Sequence, residues 1–176
     1  MALINYTLNT LFSECLIFLN GKQVSSQVNY FYRSTLESLL FYSKSAQDSL
    51  LSASLFQKDS AGHHDSVGAN ATHEGYTSRQ NVGKLSKKLQ LAGPLHVDRA
   101  SQPKLLIIGV NVRIKLEKNN HSFMILTAND HYRTKINSAS LYVRKANVAP
   151  SVMLAHEKAS SMGVIKMPIR RVGIKT

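Results

Sequence analysis

Leu16-Ile17-Phe18-Leu19 is a run of β-formers that meets Asn20-Gly21 and continues as Lys22-Gln23-Val24. Asn and Gly both tolerate the positive φ of a type I′ turn, so two strands are expected to fold back on each other here, with the turn setting their register. From Tyr32 the period lengthens. Tyr32, Leu36, Leu39 and Leu40 share one helical face while Arg33, Glu37 and Ser38 fall elsewhere, which predicts a short amphipathic helix. A second helix is expected with Ser43 or Ser45 as its cap, Asp48 in its first turn and Leu50, Leu51 and Leu55 as its apolar stripe. Both helices would pack against something larger.

Between Lys58 and Lys84 large apolar residues almost vanish, so residues 59–83 are expected to form a long exposed loop. Strand-like sequence then resumes. Leu85, Leu89 and Leu91 share one parity ahead of Gly93-Pro94, and Leu105 to Ile108 is an apolar run that breaks at Gly109. The cleanest alternation follows, with Val110, Val112, Ile114 and Leu116 inward, Asn111, Arg113, Lys115 and Glu117 outward, and Asn119-Asn120 as a turn. Ser122 to Leu126 is expected to return as its partner strand, and Ile136 to Val143 to form another. Beyond Pro150 the pattern is helical again: Ser151 lies near the cap, Val152, Ala155, Ala159 and Met162 make a buried stripe, and Gly163 sits where a C′ residue belongs. Val164 to Ile174 then reads as an extended segment that Pro168 confines to an edge.

Many short strands separated by turns, with two or three short helices inserted, predict a mainly β chain of the sandwich or jelly-roll type. The length of 176 residues suits a single domain, 1–176, and 43% hydrophobic against 18% charged residues excludes a disordered chain. Charge adds a partner argument. Twenty-two Lys plus Arg against 10 Asp plus Glu leave a net +12, which fits either a solvated basic surface or contact with a polyanion. The single cysteine, Cys15, rules out an intrachain disulfide, and its apolar neighbours predict an inert buried thiol. No basic leader with a long apolar core and no run of about 18 apolar residues occurs, so neither secretion nor membrane contact is expected.

Chemistry-bearing clusters are few. His63-His64-Asp65, with His73-Glu74 nearby, is the only set of potential metal ligands, and a polar loop offers it no rigid support, so no metal site is expected. His96-Val97-Asp98 can place an imidazole and a carboxylate on one side of a strand, and His156 lies on the last predicted helix. No activated Ser or Cys accompanies either, and both read as surface or capping residues. Gly-rich phosphate loops, Cys-x-x-Cys pairs and close carboxylate pairs are missing from the sequence. The expectation is a protein with no catalytic residues, no cofactor and no small-molecule substrate. The basic residues Lys84, Lys87-Lys88, Arg113-Lys115-Lys118, Arg144-Lys145 and Arg170-Arg171 are dispersed and without aromatic stacking partners, so any DNA contact would be to phosphate regardless of sequence. As an interaction surface, Arg113, Lys115, Arg144, Lys145, Arg170 and Arg171 are the candidates.

A family resemblance rests on an ordered series of segments. Asn5-Tyr6-Thr7-Leu8-Asn9-Thr10-Leu11-Phe12-Ser13 leads into Phe18 to Ser25, Tyr32-Arg33, Leu36-Glu37-Ser38-Leu39-Leu40 and Leu55-Phe56-Gln57-Lys58-Asp59. Gly93-Pro94-Leu95-His96-Val97-Asp98, Lys104 to Val110, Ala139 to Lys145, Ala149-Pro150-Ser151-Val152 and Pro168-Ile169-Arg170-Arg171 follow in the same order. Together they resemble the major capsid protein of Polinton (Maverick) elements and adintoviruses over essentially the whole chain. The resemblance implies a hexon-type double jelly roll that assembles as a homotrimer, alongside a penton-type protein, into a virion around double-stranded DNA, with assembly inside the host cell, in the nucleus. Two departures matter: family members carry strand-forming sequence ahead of the Asn-Tyr-Thr start and continue into a second jelly roll. The chain is therefore expected to be an N-terminal-half fragment, a partial first barrel, compatible with a genome-integrated or decayed copy. The alternative from the residues alone is a small basic nucleic-acid-binding module.

Overall fold

The computed structural model describes residues 1–63, 73–100, 102, 104–127 and 131–174. The chain enters through a two-residue strand, β1 (Ala2–Leu3), and a single helical turn, α1 (Thr7–Thr10). The Asn20-Gly21 turn then folds β2 (Phe12–Leu19) back on β3 (Lys22–Val28). Asn20 and Gly21 take φ of 48° and 79°, the backbone that the hairpin reading requires, and Leu19 pairs with Lys22 across the turn. The register slips by one residue between Ile17 and Phe18, where Val24 is the extra residue of a β-bulge.

Helix α2 (Tyr30–Phe41), the short α3 (Lys44–Asp48) and a 3₁₀ turn, Leu51–Ser54, follow. Ser43, one of the two caps expected, caps α3 by accepting from the Ala46 amide at 3.3 Å, but Asp48 ends that helix instead of opening it. Leu51 and Leu55 are buried and Leu50 is exposed. Helix α4 (Glu74–Gly83) runs into a 3₁₀ turn, Lys84–Ser86. The remaining elements are β4 (Val112–Lys118), the helical turn α5 (His121–Met124), β5 (Ile125–Leu126) and α6 (Pro150–Met162).

Two small antiparallel sheets result. One has the order β3-β2-β4 and the other pairs β1 with β5. The alternating segment is a strand, with Ile114 packed on the core formed by Cys15, Ile17, Tyr30 and Val97, but Val112 and Leu116, expected to face inward with it, are exposed. Its return partner is different from the one expected: residues 121–124 make a helical turn, and Ile125–Leu126 pair with Leu3 and Ala2 instead of with β4.

The described residues are 34% helical and 16% strand, which corrects the mainly β reading to a mixed one, and the sheets do not close into a barrel. The physical reason is that alternation alone does not make a strand; a ladder partner does. Residues 87–97, 104–107 and 136–143 carry strand-like sequence, but they pair with no neighbour in a ladder, and Leu105, Ile108, Leu141 and Tyr142 are exposed.

The chain divides into one unit of Met1–Thr134 with Arg171–Thr176 and a second of Lys135–Arg170. The second unit holds α6, which starts with Pro150 at its first turn as expected, yet none of its residues is buried, so Val152, Ala155, Ala159 and Met162 do not form the buried stripe. Gly163 is extended and does not close the helix in a left-handed cap.

The largest departure in the first unit concerns α2. The apolar stripe of the sequence, Tyr32, Leu36, Leu39 and Leu40, is the exposed side, with Leu40 at 74%. The interior side carries Arg33, Ser34 and Ser38, all buried below 5%, after Tyr30 and Phe31 have anchored the N-terminal end. The helix is amphipathic in the opposite sense to the expected one, because what it meets inside is polar.

Candidate functional site

Four parts of the first unit bring polar groups to the inner side of α2. Tyr6 stands just before α1 with a left-handed φ of 58°, and its amide is held by Leu55 O at 3.0 Å and by Asn5 Oδ1 at 2.8 Å. A non-glycine residue persists there only where its surroundings fix it, and the same Asn5 oxygen also accepts from the Gln57 amide at 2.7 Å. The Tyr6 ring rests edge-on against Phe56, 5.3 Å between centroids, which aims the hydroxyl inward.

The Tyr6 hydroxyl lies 2.8 Å from His96 Nε2 and accepts from Ser38 Oγ at 3.0 Å. His96 Nδ1 lies 2.8 Å from Glu37 Oε2. A proton on Nδ1 and a lone pair on Nε2 give each group one role: Ser38 donates to Tyr6, Tyr6 to His96, and His96 to Glu37. Arg33 Nε donates to Glu37 Oε1 at 2.7 Å, and its Nη2 reaches Asp98 Oδ1 at 2.7 Å. Asp98 Oδ2 accepts from Gln27 Nε2 at 2.8 Å, and Oδ1 accepts from the Val172 amide at 3.1 Å. Arg33 Nη1 and Gln27 Nε2 both donate to Val172 O. Tyr30 completes the layer, donating to Asn9 Oδ1 at 2.8 Å and accepting from the His96 amide at 3.1 Å.

The electrostatics follow from this geometry. Burial alone would raise the Glu37 carboxyl, but the hydrogen bonds from His96 and Arg33 and the charge of Arg33 outweigh it and hold the group below its ordinary value. Burial likewise opposes the Arg33 charge, and its bonds to Asp98 and Glu37 more than restore it. Burial pushes the Tyr6 hydroxyl up to about 12 and the Cys15 thiol up to about 11, so neither is a nucleophile at neutral pH. Cys15 is fully buried, in accord with its apolar neighbours.

His96 and Asp98 were expected at the surface or in a cap, and this is corrected: both are buried, at 4% and 3%. Tyr6, Arg33, Glu37, Ser38 and Gln27 were not among the candidate site residues. Their one sequence signal was Arg33-x-x-x-Glu37, an i,i+4 pair on a helix, which by itself reads as a solvated surface bridge.

A second buried centre corrects the long-loop reading. Within residues 59–83, Glu74–Gly83 is helix α4, and its Arg79 is fully buried. Arg79 Nε donates to Leu3 O and Nη1 to Gln57 O, each at 2.7 Å, while Nη2 meets Asp59 Oδ1 at 2.8 Å. Gly75 is required beside it, since a Cβ there would stand 2.7 Å from both Asp59 Oδ1 and Lys58 O. His73 caps the helix by accepting from the Tyr76 amide at 3.3 Å and stacks against His63 at 6.0 Å between centroids. Among the described residues no group of three His, Cys, Asp or Glu gathers to hold a metal; His64 and Asp65 lie outside the described residues.

The six candidate surface cations are all exposed. Arg113 lies over the Phe18 ring, 4.4 Å from its centroid, and Lys115 pairs with Glu117. Arg144, Lys145 and Arg170 belong to the second unit, and Arg171 to the first. No helix among the described residues is long and apolar enough to cross a membrane.

Over 115 residues, 65% of this chain, the sequence is 29% identical to the uncharacterized protein F54H12.2 of Caenorhabditis elegans. The matched stretch spans about a quarter of that relative's length, 25%. No family model matches the chain, and no solved structure does.

Proposed function

We propose that the chain is a structural, capsid-type polypeptide without a catalytic role: part of the first jelly roll of a hexon-type subunit that works as a homotrimer, with penton-type neighbours, in a virion assembled in the host nucleus. One observation carries this reading. Four of the segments that resemble the Polinton and adintovirus capsid family meet in space: Tyr6 from the first, Arg33, Glu37 and Ser38 from the two on α2, and His96 and Asp98 from Gly93–Asp98 form one continuous hydrogen-bonded cluster. The residues able to do acid–base chemistry are spent on joining these segments, as suits a framework. Gly93 supports the same junction, since a Cβ there would stand 2.1 Å from Ser54 Oγ.

The reading is tested by expressing the complete reading frame that contains these residues and following assembly by sedimentation and negative-stain electron microscopy. Trimers that close into shells are the expected result. Protein that remains monomeric across the concentration range overturns it. The net charge of +12 supports the second reading, a basic module that contacts nucleic-acid phosphates. Retention on duplex DNA that falls steeply with salt, in protein that never assembles, would select that alternative.

A further inference from the structure

Strand β3 is an edge strand among the described residues: in the order β3-β2-β4 only its β2 side is in a ladder. Along its other side runs a groove of about 300 Å³. Five consecutive residues, 23–27, form one wall, and Asp98 with residues 171–173 forms the other. Edge strands are ordinarily blunted by charge, proline, shortness or a β-bulge, and of these β3 has the bulge at Val24. Here seven residues contain no proline, and Lys22 at the turn is the one charge.

The groove also has a chemistry. Ser25 is 6% exposed and its Oγ has no hydrogen-bond partner among the described residues, although a buried hydroxyl ordinarily finds one. On the opposite wall Arg171 is exposed and in no ion pair among the described residues, whereas the Asp98 carboxylate is already occupied by Arg33, Gln27 and the Val172 amide. A hydroxyl in need of a partner, the backbone groups of β3 that face away from β2 and a guanidinium in no ion pair among the described residues thus share one slot.

We propose that this slot takes an extended segment of a partner polypeptide, which adds to β3 as a further strand and sets an acidic side chain against Arg171. Main-chain bonds to residues 23–27 supply the pairing, over about 17 Å for five residues. Ser25 Oγ meets a backbone group of the incoming strand, and the Arg171–carboxylate contact selects an acidic segment over a basic one in a chain of net charge +12. The inference stands whether or not the chain belongs to a capsid.

The test uses the full chain, isotope-labelled, with three capped peptides of about six residues: alternating Thr and Val around a central Glu, the same with Lys, and the Glu peptide N-methylated at alternate amides. The Glu peptide should slow hydrogen exchange at those amides of 23–27 that face away from β2 and shift their resonances, while the N-methylated one should not. Arg171→Glu, at an exposed position, should weaken the Glu peptide by about fivefold and favour the Lys peptide. The proposal is overturned if neither peptide moves the amides of 23–27, if the N-methylated peptide binds equally, or if Arg171→Glu leaves the preference unchanged. Protection that rises with protein concentration alone would also overturn it, showing a second copy on the edge.

Discussion

The Tyr6 hydroxyl and His96 Nε2 lie 2.8 Å apart across 90 residues of chain, and this contact couples the entry segment to the Gly93–Asp98 segment beneath α2. Tyr6→Phe deletes the oxygen that both Ser38 and His96 use, leaving two buried groups without their partner. The expected cost is about 1–3 kcal/mol of stability, read as a lower urea midpoint at unchanged slope. His96→Ala, which also opens a cavity, should cost more.

Acid should weaken the same cluster in a defined window. Glu37 is held below its ordinary value of 4.5, so its contribution to stability is whole above that pH and is lost as the pH falls through its lowered folded value. Glu37→Gln should destabilise the protein at pH 7 and narrow its difference from the wild type on acidification. A gap that stays constant from pH 7 to about pH 3 would contradict the charge assignment.

Glycines 75 and 93 should resist the smallest enlargement. Gly75→Ala sets a methyl against Asp59 and the Lys58 carbonyl, and Gly93→Ala sets one against Ser54. Each is expected to cost about 1–3 kcal/mol by thermal or urea unfolding. Gly163→Ala, with open space around it and extended backbone, should be neutral.

The outward apolar face of α2 gives the reverse expectation from that of an ordinary helix. Leu40→Ser, at an exposed site, should change stability by no more than about 0.5 kcal/mol. Ser38→Leu, at a fully buried site that donates to Tyr6, should cost about 2 kcal/mol or more despite the added apolar surface. Equilibrium unfolding of the two variants side by side decides between the two orientations of the helix.

Local signals read correctly from the sequence. The Asn20-Gly21 hairpin, the strand around Ile114, the helix read from Tyr32, which starts two residues earlier at Tyr30, a serine cap at one of the two positions offered, Ser43, and the helix after Pro150 all depend on backbone preferences and periodicities that neighbouring residues settle among themselves. The burial of Cys15 followed in the same way from the apolar run around it.

The rest was decided by distant partners. Leu36 and Leu40 have the spacing of a buried stripe, yet the inner side of α2 is the one that can satisfy Tyr6, His96 and Asp98. Arg79 sits in a stretch with almost no apolar residues, but two carbonyls and Asp59 converge on its guanidinium from other segments and make burial favourable. The sequence by itself determined where turns, caps and single strands form, because those choices are made within a few residues. Which face of a helix is inside, which strands find ladders and which charges are buried were settled only in the tertiary structure, because a buried polar group is stable only beside partners that lie tens of residues away.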